Sequence, residues 1–268
     1  MSRSFLGIDI GAVSAKAVII EDGALVSQSV LETGSSVERV ADTLVRDVLK
    51  SSGLSFGDLK GIVATGYGRI GVSCADKKVT EITCHARGVN HLIPEVRTVI
   101  DIGGQDSKAM RIDGQGRVTD FVMNDKCAAG TGRFLEVMAR ALGLALDELG
   151  ALSLTSGNPC LISSVCTVFA ESEVVSLRAE GRTREDIAAG IHRAIAGRIA
   201  AMIAQMGCEE VLALTGGVAL NRGVVKALRD ELDLPVRVPE QPQLTGALGA
   251  ALLASELSGC HGNERLQK

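Results

Sequence analysis

Hydrophobic positions along the 268-residue chain recur with two periods, one typical of short buried strands and one typical of helices with a single apolar face. Runs of β-branched and aliphatic residues between turn residues predict strands at residues 5–10, 17–20, 25–30, 61–65, 99–103, 109–112, 118–122 and 210–214. The i, i+3, i+4, i+7 spacing predicts helices at residues 37–50, 81–92, 184–206, 222–232 and 244–257, and after Cys127 and Cys166, with a polar tail from 258 to 268. Strands that alternate with helices indicate an α/β protein.

A unit made of a strand, a D-x-G turn and a second strand occurs twice, as DIGAVSAK from Asp9 and as DIGGQDSK from Asp101. The two copies align Asp9 with Asp101, Gly11 with Gly103 and Lys16 with Lys108. Such a duplication indicates two similar lobes, each with a tight turn whose backbone N–H groups can face a phosphate. We expect the two aspartates to lie opposite each other, as a hydrated Mg²⁺ on nucleotide phosphates requires.

A glycine pair, Gly216 and Gly217, follows the strand predicted at 210–214 and precedes a predicted helix. Adjacent glycines let the backbone approach a flat ligand closely, although a merely tight turn between strand and helix explains the same residues. The sequence EITCHARG places Cys84 beside His85. Adjacent helical residues point about 100° apart, so packing explains this pair better than metal binding.

Two of the seven cysteines, Cys127 and Cys166, stand just before predicted helices. The apolar faces predicted there consist of Leu135, Met138, Ala139 and Leu142 in the first helix and of Val168, Ser172 and Val175 in the second. At a helix start, backbone N–H groups favour negative charge, so we expect a lowered thiol pKa and a stabilised thiolate or thiolate-bound cluster. A cubane Fe–S cluster needs four cysteines, so a second copy of the chain would supply the other two. Simple packing is the alternative, because no C-x-x-C is present.

Composition narrows the range of functions. The net charge of −4, the absence of a basic block and an aromatic content of 2% argue against nucleic-acid binding. The N-terminus lacks the pattern of a signal peptide, and charged and polar residues interrupt the apolar stretch at 187–206. We therefore expect a cytoplasmic protein with no membrane partner, whose odd number of cysteines indicates reduced thiols or metal ligation.

The motifs DIGAVSAK, DIGGQDSK and LTGGVALN together resemble the phosphate-1, phosphate-2 and adenosine motifs of the acetate and sugar kinase, heat-shock-protein-70 and actin superfamily. The stretches ATGYGR, EITCHARG, NDKCAAGTGRFLE and SSVCTVFAESEV resemble one branch, the ATP-dependent activators of 2-hydroxyacyl-CoA dehydratases and the related ATPase subunits of benzoyl-CoA reductase. The resemblance implies duplicated RNase H-like lobes, the actin-like ATPase fold, with nucleotide in the cleft between them. We expect residues 1–98 in the first lobe, with helix 244–257 packed back on it, and residues 99–243 in the second.

The resemblance also implies the cofactors, partners and site residues. It implies a homodimer with one [4Fe–4S] cluster held by Cys127 and Cys166 of both subunits. ATP or ADP with Mg²⁺ would drive one low-potential electron to an acyl-CoA dehydratase or reductase that has its own cluster. An upstream ferredoxin or flavodoxin would be the electron donor. The implied catalytic residues are Asp9, Asp101 and Gln105. The implied nucleotide-binding residues are Gly11, Ala12, Ser14, Lys16, Gly103, Gly104, Asp106, Lys108, Gly130, Gly132, Gly216 and Gly217.

Two other functions fit the same nucleotide motifs. A small-molecule kinase for a sugar or an acid would need a substrate pocket with a catalytic carboxylate and would not need Cys127 or Cys166. A filament-forming assembly protein would need extended self-association surfaces. The residue that orients the hydrolytic water is also left open among Gln105, Asp106 and Glu81. No role is predicted for Cys74, Cys84, Cys160, Cys208 or Cys260.

Overall fold

The protein is described here by a computed structural model that covers residues 3–163 and 166–264, with side chains as far as Ser258. The strands in these ranges are β1 (Ser4–Ile10), β2 (Ser14–Glu21), β3 (Ala24–Glu32), β4 (Leu59–Thr65), β5 (Lys77–Lys78), β6 (Thr98–Ile102), β7 (Ser107–Ile112), β8 (Val118–Asn124), β9 (Leu212–Thr215) and β10 (Val236–Arg237). The helices are α1 (Val37–Ser52), α2 (Glu81–Leu92), α3 (Gly132–Leu142), α4 (Leu146–Ser153), α5 (Thr167–Ala179), α6 (Arg184–Met206), α7 (Arg222–Leu232) and α8 (Thr245–Glu264).

The strands form two five-stranded sheets of the same topology, in the orders β3-β2-β1-β4-β5 and β8-β7-β6-β9-β10. In each sheet a hairpin is antiparallel, and the next strand pairs parallel to its first strand. Asp9 pairs with Lys16 across the hairpin and with Thr65 on the parallel side. Asp101 pairs in the same way with Lys108 and Thr215. The structure thus extends the duplication seen in the sequence from the hairpin to the parallel neighbour of its first strand, β4 in one sheet and β9 in the other.

The chain divides into two compact units. The first consists of residues 1–95, 112–118 and 243–268, and the second of 96–111 and 119–242, so the turn between β7 and β8 groups with the first unit. Each unit has its own buried apolar core. In the first unit, α1 packs on one side of the sheet through Val40, Leu44 and Val48, while α8 supplies a separate cluster of small residues. In the second unit, α3, α6 and α7 join one core with the sheet.

Several predicted helix faces and ends can be compared with the structure. Leu135, Met138, Ala139 and Leu142 are all buried in α3, as the spacing predicts. The face predicted for α5 is wrong, because Val168 and Val175 are 67% and 55% exposed and the buried residues are Ala170 and Val174. The predicted polar tail is also wrong at its start, because α8 continues to Glu264; residues 265–268 lie outside the described ranges.

Among the described residues, α6 is the one helix whose length and composition would allow it to cross a membrane. Its most apolar stretch is 56% buried inside the protein, as is usual for a core helix. Its buried residues, which include Ile191, Ile195 and Ile199, contribute to the core of the second unit. The apolar character of α6 is therefore explained by packing.

Helices α2 and α8 approach each other through glycines. A side-chain carbon added at Gly88 would overlap the backbone carbonyl of Thr245, and one added at Gly249 would overlap the carbonyl of Cys84. Gly7 on β1 meets the backbone of α8 at Ala247 in the same way. These backbone contacts leave no room for a methyl group, so α8 lies directly against the sheet and α2.

We therefore predict that Gly249→Ala destabilises the protein, although alanine is normally the better helix residue. Overpacking a closely fitted contact costs about 1–3 kcal/mol, and the measurement is the free energy of unfolding in urea. Gly57→Ala is the control, because a carbon added there has its nearest neighbour at 3.9 Å. Equal stability of the two variants would contradict this packing.

Candidate functional site

The first unit holds a buried carboxylate at the end of its first strand. Asp9 is 4% exposed, and its Oδ2 lies 3.6 Å from Lys16 Nζ, which also donates a hydrogen bond to the Ser14 carbonyl. The turn between them closes through a hydrogen bond of 3.1 Å from the Gly11 amide to the Ser14 carbonyl. Ala12 is exposed at its tip. The unit therefore presents a tight turn beside a lysine-paired carboxylate, as the D-x-G motif predicts.

The second unit has the same arrangement with one additional carboxylate, that of Asp106. Lys108 is 2% exposed, and its Nζ lies 2.8 Å from Asp106 and 3.6 Å from Asp101. The Thr215 hydroxyl donates a hydrogen bond of 2.8 Å to Asp101. Two carboxylates thus lie within ion-pair distance of the same buried ammonium. Gln105 is exposed in the same turn.

The turn after Asp101 is joined through the backbone to the start of α3. The amides of Gly132 and Arg133 donate hydrogen bonds of 2.9 and 2.8 Å to the carbonyls of Gly103 and Gly104. A side-chain carbon at Gly132 would lie 3.3 Å from both Gly103 and Gly104, which makes the fit tight. The first amides of a helix have no acceptor within the helix itself. In α3, two of them donate to carbonyls of the glycine turn.

The Gly216–Gly217 pair occupies a turn at the end of β9. Gly216 has a φ of 85°, and a side-chain carbon there would overlap the backbone of Ile102, so glycine is required for the turn itself. A side-chain carbon at the exposed Gly217 would have no neighbour within 4 Å. The tight-turn explanation therefore accounts for Gly216, and Gly217 is the position where a ligand has room.

Cys127 and Cys166 lie in the second unit in different settings. Cys166 is exposed and is the N-cap residue of α5, as expected. Cys127 is half-buried, and the prediction that it starts a helix is wrong, because α3 begins at Gly132 with Thr131 as its N-cap. The Cys127 loop is held instead by Asn124, whose amide nitrogen donates to the carbonyls of Cys127 at 2.8 Å and Ala129 at 3.3 Å.

Arg198 of α6 supports this loop and was missed from the sequence. Its guanidinium donates to the side-chain oxygen Oδ1 of Asn124 at 3.5 Å. Gly130, predicted to contact nucleotide, is buried against the same arginine, and a side-chain carbon there would lie 3.0 Å from Arg198 Cδ. Arg198 lies 68 residues or more from the loop in sequence, so neither spacing nor composition signals the contact.

The other cysteines with shifted acidities favour the neutral thiol. Burial raises the pKa of Cys84 to about 12, and burial also raises the pKa of Cys74 and Cys160. A neutral thiol is a poor metal ligand. Among the residues that the structure describes, no group of three or more His, Cys, Asp and Glu side chains could hold a metal ion. The described part of one chain therefore does not supply the four thiolates of a cubane cluster by itself.

His85 of the EITCHARG motif packs inside the first unit. Its Nδ1 lies 2.9 Å from the Thr245 hydroxyl. A side-chain carbon at Gly246 would lie 2.9 Å from Asp9 Oδ2 and 3.0 Å from His85 Nε2, so both side chains converge on this glycine. The packing interpretation of His85 agrees with these contacts. Glu81 is half-buried at the start of α2.

The sequence predicted no role for a second buried histidine, His192 on α6. It is 1% exposed, with Nδ1 at 2.8 Å from the Ser153 hydroxyl and Nε2 at 3.3 Å from the Asn221 amide nitrogen. Asn221 ends the LTGGVALN motif and is the N-cap of α7. Burial lowers the pKa of His192 to about 4, so the imidazole is neutral at pH 7.

The chain is similar to known proteins over most of its length. A sequence profile described as the BadF/BadG/BcrA/BcrD ATPase family matches residues 6–254. The chain is 48% identical over 250 residues to the 2-hydroxyisocaproyl-CoA dehydratase activator of Clostridioides difficile, covering 93% of this chain and 94% of that one. It is 49% identical over 255 residues to the activator of lactoyl-CoA dehydratase of Anaerotignum propionicum, covering 94% and 97%.

A solved structure has the same fold as this chain. The activator of the 2-hydroxyisocaproyl-CoA dehydratase from Clostridium difficile with bound ADPNP superimposes with a TM-score of 0.92 at 45% identity, covering 98% of both chains. The predicted α/β architecture with an actin-like ATPase fold is thereby confirmed.

We predict that His192 makes stability depend on pH. Its folded-state pKa of about 4 lies below the unfolded value, so its contribution is present above about pH 6.5 and is lost as the pH falls toward 4. Between pH 7 and 4 the wild type should lose about 3 kcal/mol more than His192→Gln, measured by urea unfolding. Parallel pH profiles would show that His192 does not titrate in this way.

Proposed function

This chain belongs to the BadF/BadG/BcrA/BcrD ATPase family, and from that premise we propose that it activates a 2-hydroxyacyl-CoA dehydratase or a related acyl-CoA reductase by ATP-dependent transfer of one electron. The observation that carries the proposal is the pair of backbone hydrogen bonds from Gly132 and Arg133 to Gly103 and Gly104. These bonds attach a phosphate-type turn to the helix that follows the Cys127 loop. A change in the turn would therefore be passed directly to the start of α3, which adjoins the Cys127 loop.

We assign the nucleotide to the two glycine turns and to the Gly216–Gly217 turn. In each unit a buried carboxylate is paired with a lysine across a hairpin, Asp9 with Lys16 and Asp101 with Lys108. Mg²⁺ takes one or two carboxylates and keeps several waters, which suits Asp9 and Asp101. The ADPNP bound to a relative that is 45% identical supports an ATP or ADP ligand here.

We assign Cys127 and Cys166 as two of the four ligands of a [4Fe–4S] cluster shared by a homodimer. The exposed thiol of Cys166 and the half-buried thiol of Cys127 suit this role better than the buried Cys84 and Cys160. When bound, such a cluster supplies a low-potential one-electron carrier. Cys166 lies at the N-terminus of α5, where the helix dipole favours the negative charge of a bound cluster.

The surface around Cys166 supports the involvement of a second subunit. Leu161 is 83% exposed, and Val168 and Phe169 are each 67% exposed. These exposed apolar side chains lie within five residues of Cys166 in sequence, and exposed apolar surface of this kind marks interaction sites. The dehydratase or reductase partner, a ferredoxin or flavodoxin donor and a cytoplasmic location complete the proposal, since reduced thiols persist in that compartment.

The carboxylate assignment predicts that Asp9→Asn and Asp101→Asn each lower the ATPase rate by about 100-fold or more, because each removes a charge that positions Mg²⁺. Iron content and dimerisation should not change. Asp230→Asn, on the exposed surface of α7, is the control and should retain the wild-type rate. Near-normal turnover in both site variants would refute the Mg²⁺ assignment.

The cysteine assignment predicts about four iron atoms per dimer in protein purified without oxygen. Cys127→Ala or Cys166→Ala should remove two of the four ligands, lose the iron and the brown colour, and retain ADP binding. Cys208→Ala is the matched control, because Cys208 is exposed like Cys166. Four irons in a monomer, or a full cluster after either substitution, would return both cysteines to a packing role. A colourless wild-type protein that phosphorylates a sugar or acid would favour the kinase.

A further inference from the structure

Three helices of the second unit meet at His192 through side-chain hydrogen bonds. Ser153 ends α4, His192 lies in the middle of α6, and Asn221 caps α7. The imidazole bridges the other two side chains, at 2.8 Å to Ser153 and 3.3 Å to Asn221. We refer to these three residues as the His192 relay.

The hydrogen-bond partners fix the direction of every proton in the relay. Asn221 Oδ1 accepts from the amides of Gly223 and Val224 at 2.9 and 3.2 Å, so the Asn221 amide nitrogen is the atom that faces His192. That nitrogen can only donate, and Nε2 must therefore accept. The proton of the neutral ring is then on Nδ1 and is donated to Ser153, whose hydroxyl donates to the Gly150 carbonyl at 2.8 Å.

Two glycines provide the space in which the relay fits. A side-chain carbon at Gly150 would lie 2.6 Å from Asn221 Oδ1, and one at Gly223 would overlap Ser153 Oγ and His192 Nδ1. Both positions lie on helices, where glycine costs about 1 kcal/mol relative to alanine. Glycine at these two positions therefore lowers the stability of each helix but leaves the space that the three side chains of the relay occupy.

The far end of the relay is the turn that we assign to the nucleotide. The backbone amide of Asn221 donates to the Val218 carbonyl at 2.9 Å, and the backbone amide of Ala219 donates to the Gly216 carbonyl at 3.2 Å. The residue before Gly216 is Thr215, which is bonded to Asp101. The backbone of the turn is thus anchored at one end by a proposed Mg²⁺ carboxylate and at the other by Asn221.

We propose that His192 is a positioning residue for nucleotide binding, which fixes the Gly216–Asn221 turn by accepting a hydrogen bond from Asn221. This inference rests on the proposed nucleotide site. An Asn221 side chain that is not held would weaken the cap of α7 and loosen the residue whose backbone amide closes the turn. A turn that must be ordered by the ligand binds it more weakly, because the ordering cost is then subtracted from the affinity.

Two substitutions of His192 by residues with an amide side chain test its two hydrogen bonds separately. In His192→Gln the side-chain oxygen can reach the place of Nε2 and accept from Asn221. In His192→Asn the shorter amide occupies the place of Nδ1, so it can bond Ser153 but not Asn221. Ile199→Val is the control for general loss of packing on α6, since Ile199 is fully buried and is not in the relay.

The measurement is the dissociation constant of Mg-ADP by calorimetry, beside the thermal unfolding midpoint, for the intact protein. His192→Asn should weaken ADP binding about five- to tenfold, the value of one hydrogen bond, while His192→Gln stays within about twofold of wild type. Ile199→Val should lower the midpoint without changing ADP affinity. Ser153→Ala, which leaves the ring free to turn, provides a milder variant if His192→Asn does not fold, and it should weaken binding about two- to threefold.

Unchanged ADP affinity in His192→Asn, or in Ser153→Ala where the first does not fold, would reduce the relay to a stabilising contact and overturn the inference. Equal weakening in His192→Gln and His192→Asn would also overturn it, because the bond to Asn221 would then not be the cause. Wild-type protein that binds no ADP would refute the proposed function itself, and this outcome is distinct from the other two.

Discussion

The pairing of a buried carboxylate with a lysine across a hairpin is the interaction on which both units depend. Removing one partner of such a pair costs about 3–5 kcal/mol, because it leaves an uncompensated charge in the interior. The antiparallel register places Asp9 opposite Lys16 and Asp101 opposite Lys108. A shift of one residue would send the lysine to the other face of the sheet, so the charge pair fixes the register of each hairpin. The geometry of each turn follows from that register.

In the second unit this fixed turn is the centre of a continuous set of contacts. Its carbonyls receive the first amides of α3, and Asp101 receives the hydroxyl of Thr215 at the start of the glycine-pair turn. Asn221 at the end of that turn is held by His192. Helix α6 carries both His192 and Arg198, so one buried helix supports the glycine-pair turn and the Cys127 loop. Small displacements of this helix would be felt by both sites.

The sequence predicted the duplicated turns, most of the strands and the buried face of α3, because these features leave local signals. A D-x-G turn needs particular residues at adjacent positions, and the buried face of α3 has four apolar residues at helical spacing. The same spacing failed for α5, where Val168 and Val175 are exposed. The spacing of apolar residues shows that one face of a helix is apolar, but it does not show whether another part of the protein covers that face. The His192 relay was not predictable, since its members lie on three helices and only the fold brings them together.

The attachment of α3 to the glycine turn has a consequence for how this protein can diverge. Peptide groups alone make the two hydrogen bonds from residues 132 and 133 to the carbonyls of residues 103 and 104. Replacement of the Arg133 side chain leaves both bonds in place, whereas a proline at position 133 would delete one donor. A substitution at this junction therefore keeps both hydrogen bonds if it preserves the backbone conformation and the N–H group, whatever its side chain. Distant relatives can therefore exchange most of the surrounding side chains and still inherit the same mechanical connection.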